Sequence, residues 1–246
     1  MIDLNGKRAL VTGGSRGIGA AIALALAENG ADVAFTYLSS AEKAKSVSEG
    51  IERVGRRAVA IQADSADPNA VQRSVDEAAA ALGGLDILVN SAAVGLSGTI
   101  EDIDVNEFQA MMDVNVRGPV FFAKAAIPYL GAGGRIVSIG SGLAERVPFS
   151  GVTAYAMSKS ALLSFTRGLA RELGPKGVTV NLVLPGSTDT DANPANGPAA
   201  DFQRSLSPLG RFGEPREVAN AVVFLASPAA SLISGAILAA DGGAIA

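Results

Sequence analysis

Tyr155 and Lys159, in the segment YAMSK, are the residues of this 246-residue chain best placed to do proton chemistry, because the sequence holds no histidine and no cysteine. A phenol and an ammonium at i and i+4 of a helix emerge on one face, with β-carbons roughly 5–6 Å apart. A nearby ammonium favours the phenolate, so the pair is expected to lower a phenol pKa that starts near about 10 and to make Tyr155 an acid and base. Such pairs also occur on solvated helix faces, and the reading depends on what else is present. Ser141, in GRIVSIGSG, follows a strand-like run, where a hydroxyl at the carboxyl edge of a sheet would hydrogen-bond a substrate carbonyl oxygen. Ser138 competes with it, but lies three positions earlier and so points to the other face, further from the edge.

A second group of residues suits an anion. VTGGSRGIGAA (11–21) joins a strand to a helix and carries Gly13, Gly17 and Gly19, with Ser15, Arg16 and Ile18 between them. The spacing is G-x-x-x-G-x-G, not the G-x-G-x-x-G dinucleotide fingerprint. Glycines of this kind let the backbone turn sharply and approach a pyrophosphate at a helix N-terminus. The next strand ends FTYLSS, without the acid that would bind the ribose of NAD. Tyr37, Ser39 and Ser40 occupy that edge instead and Arg16 projects nearby, which predicts NADP(H) over NAD(H).

The elements that must position these groups are legible as alternation. Strand-like runs at 7–12, 32–37, 57–63, 86–92, 134–141, 178–186 and 235–243 are mostly separated by segments of helical period. Gly30, Gly55, Gly83 and Gly84 stand where helices should stop. The pattern predicts an α/β fold: a single domain over 1–246, with a Rossmann-type doubly wound sheet of seven parallel strands and helices on both faces. Residues 187–215, rich in Pro, Asn, Asp and Gly, are expected to form a substrate lid.

Composition narrows the function. Without cysteine or histidine no thiolate nucleophile, disulfide or ordinary zinc site is available, and no metal is expected. A net charge of −4 without basic blocks argues against nucleic acid. Apolar runs fall short of the roughly 18–20 residues of a membrane span, and the first residues do not read as a signal peptide, so a cytoplasmic protein is expected.

Together, TGGSRGIG (12–19), Asp64 in QADSAD, VNSAA (89–93), Asn115 in DVNVRGP, Ser141, the Tyr155/Lys159 pair, LPGSTDT (184–190) and the tail from GRFGEPREVANAVVFLA onward resemble the short-chain dehydrogenase/reductase family along essentially the full chain. The resemblance implies that Tyr155 is the catalytic acid/base and that Ser141 orients the carbonyl. It implies that Lys159 binds the nicotinamide ribose and lowers the tyrosine pKa, and that Asn115 holds a water in a proton relay. Asp64, Asn90 and Ala92 would lie along the cofactor, with Pro185, Gly186, Thr188 and Thr190 at its carboxamide and phosphates. Two positions depart from the family pattern: Ala93 stands where a glycine is usual, and Thr188 where an aliphatic residue is.

The resemblance implies hydride transfer between a nicotinamide dinucleotide, here NADP(H), and a carbonyl or alcohol, in a homotetramer or homodimer; the apolar face of helix 155–173 and the last strand suit either such contacts or a core, and small ketones or aldehydes are the expected substrates. Many relatives reduce 3-oxoacyl groups on acyl carrier protein, but IPYLGAGGR (127–135) lacks the extra basic residues of such reductases. The stretch PGSTDTDANPANGP (185–198) resembles a subgroup described as cyclic-di-GMP-binding mediators of biofilm dispersal, so nucleotide binding is the alternative from another class.

Overall fold

The computed structural model describes residues 2–246. Along the chain, β1 (Arg8–Val11), α1 (Gly17–Glu28), β2 (Asp32–Tyr37), α2 (Ala41–Arg53), β3 (Ala58–Gln62), α3 (Pro68–Leu82) and β4 (Ile87–Asn90) form the first half. Then follow α4 (Val105–Met112), α5 (Gly118–Ala126), β5 (Arg135–Ile139), α6 (Thr153–Leu173), β6 (Thr179–Pro185), α7 (Ala200–Ser205), α8 (Pro215–Ala226) and β7 (Ile237–Ala240). All seven strand runs expected from the sequence form strands, shortened by a residue or more at most ends. They pair in parallel in the order β3-β2-β1-β4-β5-β6-β7.

Strand periodicity places the core. Ala9 and Val11 of β1, Ile87 and Val89 of β4, and Val137 and Ile139 of β5 enter a cluster with Ile22 and Leu26 of α1 and Val218 and Val222 of α8. The intervening Leu10, Leu88 and Ile136 enter the opposite cluster, with Val71 and Val75 of α3, Phe122 of α5 and Leu169 of α6. Alternate side chains of one strand thus bury on two faces, as a sheet covered on both sides requires. The helix ends are set locally: Asp67 and Asp104 cap α3 and α4 by accepting backbone N–H bonds, and left-handed Gly83 (φ 79°) ends α3.

Segment 187–215 contains α7, and Thr188 within it bridges Gly213. Of the two readings open for the apolar stripe of α6, a subunit contact or core, Leu162, Leu169 and Leu173 take the second and are buried within the chain. Between α4 and α5 the chain forms a π-turn over Asp113–Arg117, a local widening often found near functional sites. Among the described residues no helix is long and apolar enough to cross a membrane.

β1 and β4 lie side by side while the connections after them leave in opposite directions, which opens a crevice at the carboxyl ends of the strands. A cleft of about 780 Å³ occupies that position.

Candidate active site

One end of the cleft is built by backbone. The chain leaves β1, turns at Gly13 with φ +65° and enters α1 at Gly17. A β-carbon on Gly19 would lie 2.2 Å from the Gly13 carbonyl oxygen, so the turn folds onto its own helix too tightly for any side chain. The N-terminus of α1 has no side-chain cap bond and no acid in its first turn. Its first amides and dipole are therefore left for an anion, the property a pyrophosphate site needs. Thr12, to which the sequence reading gave no role of its own, ties this turn to the next loop: its Oγ1 accepts from the amides of Ser91 (3.0 Å) and Ala92 (2.9 Å).

Beyond the glycine turn, Arg16, Tyr37, Ser39, Ser40, Asp64 and Ala92 line the cleft, as do Ser15, Ile18, Ala93, Pro185, Gly186, Thr188 and Thr190. No carboxylate closes β2. Asp64 is exposed, and its Oδ1 accepts from the Ala66 amide at 2.8 Å. Thr188 is buried and donates to the Gly186 carbonyl at 3.0 Å. The methyl group of Thr190 sits over Gly17, 3.4 Å from where a β-carbon would be. Asp191, also on the cleft wall, pairs with Lys43 of α2 and thereby straps segment 187–215 across this end. The Lys43 ammonium, with a smaller contribution from Arg16, holds the Asp191 carboxyl below its ordinary pKa.

Asn90 does not follow this pattern. It is buried at the end of β4, in register with Ser138 and outside the cleft wall; its Nδ2 donates to Ser138 Oγ at 3.2 Å and its Oδ1 has no partner among the described residues. Its side chain is turned into the sheet by the pleat, and Ser91 and Ala92 form the adjacent stretch of wall.

The other end of the cleft is built by side chains. Ser141 follows β5 and caps the short 3-10 turn Gly142–Ala144, its Oγ accepting from the Leu143 amide at 3.2 Å. It lines the cleft, whereas Ser138 is fully buried. Tyr155 and Lys159 enter from the first turns of α6 and line the same space. Lys159 is 3% exposed, and its Nζ donates to the Ile139 carbonyl at 3.1 Å. An ammonium has three donors, and this is the one protein hydrogen bond it makes among the described residues.

Burial reverses the electrostatics expected from spacing. The Tyr155 phenol is pushed up to about 12 by desolvation; Ser141 acts in the opposite direction, although the two hydroxyls form no hydrogen bond of normal geometry. Desolvation likewise brings Lys159 down to about 8. The expected lowering of Tyr155 by Lys159 does not occur in the protein alone. Nζ lies 5.8 Å from the ring centroid and bonds a backbone carbonyl, and removal of water disfavours both ionised forms. At neutral pH this geometry yields a protonated phenol beside a serine hydroxyl, two donors that can meet one oxygen.

Asn115, in the π-turn, has a fully engaged side-chain amide. Its Oδ1 accepts from the Val94 amide (2.8 Å), and its Nδ2 donates to the Val94 carbonyl (2.9 Å) and Ser158 Oγ (3.1 Å). Both amide donors are engaged, so the side chain pins the loop after β4 to α6.

Comparison with known proteins agrees with this geometry. The family profile adh_short_C2, described as enoyl-(acyl carrier protein) reductase, matches residues 13–244. The chain is 44% identical over 237 residues to the cyclic-di-GMP-binding biofilm dispersal mediator protein of Escherichia coli strain K12, covering 96% of each chain. It is 42% identical over 254 residues to versicolorin reductase stcU of Emericella nidulans, covering 98% of this chain and 96% of that one. A solved short-chain dehydrogenase from Burkholderia cenocepacia J2315, in complex with NADP, superimposes with a TM-score of 0.98 at 57% identity over 99% of both chains. With the glycine turn, Ser141, Tyr155 and Lys159 gathered at one crevice, and with matches that span nearly its whole length, the chain belongs to the short-chain dehydrogenase/reductase family.

Proposed function

We infer that this protein is an oxidoreductase that moves a hydride between NADP(H) and a carbonyl or alcohol, working chiefly as a reductase of small ketones or aldehydes. The observation that carries this reading is the meeting of Ser141, Tyr155 and Lys159 with an uncapped, acid-free helix N-terminus in one cleft. The bound dinucleotide would supply the hydride. Tyr155 is assigned as the acid that gives its proton to the carbonyl oxygen, and Ser141 as a second donor to that oxygen. A phenol held near about 12 still protonates an alkoxide, which is a far stronger base. Lys159, with ammonium donors to spare, is assigned to the nicotinamide ribose, and Asn115 to positioning the wall around Val94.

The preference for NADP(H) is supported by the absence of an acid at the end of β2, by Arg16, Ser39 and Ser40 there, and by the relative described in complex with NADP. We assign Gly13, Gly17 and Gly19 to the pyrophosphate turn, and Thr188 and Thr190 to the wall above it. Rates of NADPH and NADH oxidation across a panel of ketones and aldehydes test the reading; equal or better use of NADH defeats the cofactor assignment, and no turnover of any carbonyl defeats the function.

Two alternatives have support of their own. Acyl-carrier-protein substrates are suggested by the description of the matching profile. Against them, the one cation of segment 127–135, Arg135, is 6% exposed and offers no landing surface to an acidic partner. Binding of cyclic-di-GMP is suggested by the name of the relative at 44% identity, and calorimetry with that nucleotide tests it directly.

We also propose that residues 1–246 act as one domain with 187–215 as the substrate lid, in a cytoplasmic homotetramer or homodimer. Exposed Leu232, Val120 and the groove between Val105 and Met157 support association, which sedimentation measures.

A further inference from the structure

The reacting end of the cleft carries a charge that proton delivery does not use. Arg146 follows Ser141 just beyond the turn Gly142–Ala144 and lines the same cleft as Ser141 and Tyr155. Its Nη1 donates to the Ala244 carbonyl at 2.6 Å. No carboxylate among the described residues pairs with it. A guanidinium has five N–H donors in a fixed planar fork, so one anchored nitrogen leaves most of them for a ligand. The anchor is itself part of the site: Ala244 and Ile245 line the cleft, and Ile245 packs against Gly142, 3.2 Å from where a β-carbon would stand.

The surroundings select what such a fork would meet. Leu143, Phe149, Val152, Leu206 and Ile245 give this part of the cleft an apolar lining. Asn193 and Gln203 exchange two amide hydrogen bonds of 2.9 Å with each other, and Ser207 donates to the Gly242 carbonyl at 3.1 Å. These polar neighbours are therefore engaged within the protein. The cofactor's phosphates are assigned to the glycine turn, where Arg16 stands, and leave Arg146 without an anion.

We propose that Arg146 recognises a carboxylate on the substrate, so that the favoured carbonyl compounds are oxo acids with an apolar body between the ketone and the acid. The proposal rests on the oxidoreductase reading above and adds its substrate class. A carboxylate accepts two parallel bonds from a guanidinium, and a neutral ester of the same shape accepts weaker ones.

Matched acid and ester pairs test it: levulinate against methyl levulinate, and para-acetylbenzoate against methyl para-acetylbenzoate, each with NADPH. Wild-type kcat/KM should favour the acid by roughly tenfold to a hundredfold, carried by KM. R146Q should lose that preference, and R146K should restore part of it, since lysine keeps the charge without the fork. NADPH affinity and thermal unfolding of both variants verify that they fold. Equal use of acid and ester by the wild type overturns the proposal, as does an equal loss on both in R146Q. Failure to reduce any carbonyl in a wider panel removes the oxidoreductase reading and this proposal with it, a result distinguishable from reduction without acid preference.

Discussion

The two ends of the cleft reach their function by different means. At the glycine turn the shape is a backbone property: a β-carbon on Gly19 meets a carbonyl oxygen at 2.2 Å, and the α1 amides carry the electrostatics. At the reacting end Ser141, Tyr155 and Lys159 come from separate elements, and their protonation is governed by burial. The first end tolerates no added atom but needs no tuned pKa. The second depends on charge.

The sharpest break in that contrast is Tyr155→Phe, which keeps the ring and removes the proton. Reduction should fall by roughly two to four orders of magnitude while NADPH binding, measured by fluorescence titration, is retained. Intact turnover would remove Tyr155 from the chemistry.

Lys159→Met probes the buried charge. The ordinary lysine pKa of 10.5 falls to about 8 in the folded protein, so between these values the unfolded chain binds more protons and stability rises with pH. The full interval corresponds to about 3 kcal/mol. Urea unfolding of the wild type from pH 7 to about 9.5 should therefore show a rise that Lys159→Met lacks. The range stops there because Tyr155 works in the opposite sense: its raised pKa makes stability fall as pH climbs from 10 towards about 12.

At the other end Gly19→Ala forces the backbone of the turn to shift, so it should lower stability by about 1–3 kcal/mol and weaken NADPH binding while leaving the acid and base groups in place. A loss of kcat at saturating NADPH, with affinity unchanged, would contradict the division between the ends. The smallest effect belongs to the strap. Asp191→Asn and Lys43→Gln should each speed NADPH release about twofold to fivefold and the double variant no further, because an exposed pair contributes only about 0.2–1 kcal/mol. Additive effects in stopped-flow release would show that the two residues act separately.

Legibility follows the same division. The glycine turn and the Tyr155/Lys159 pair were readable because each lies within a few residues, where steric rules and helical period operate. Ser141 was separable from Ser138 by strand alternation, and the structure places them as that rule requires. Asn90 and Asn115 were recognisable as motif residues, yet their positions depend on Ser138, Val94 and Ser158, which only packing brings near. Asp191 and Arg146 carried no local signal: Lys43 lies 148 residues from Asp191, and Ala244 lies 98 residues from Arg146.

By itself the sequence determined the order of strands and helices, the turn at Gly13 to Gly19 and the shared face of Tyr155 and Lys159, because periodicity and hard-sphere sterics act between near neighbours. Only the tertiary structure decided the sense of the pKa shifts and which polar side chains remain available. Desolvation and hydrogen-bond satisfaction depend on everything packed around a group, most of it distant in sequence.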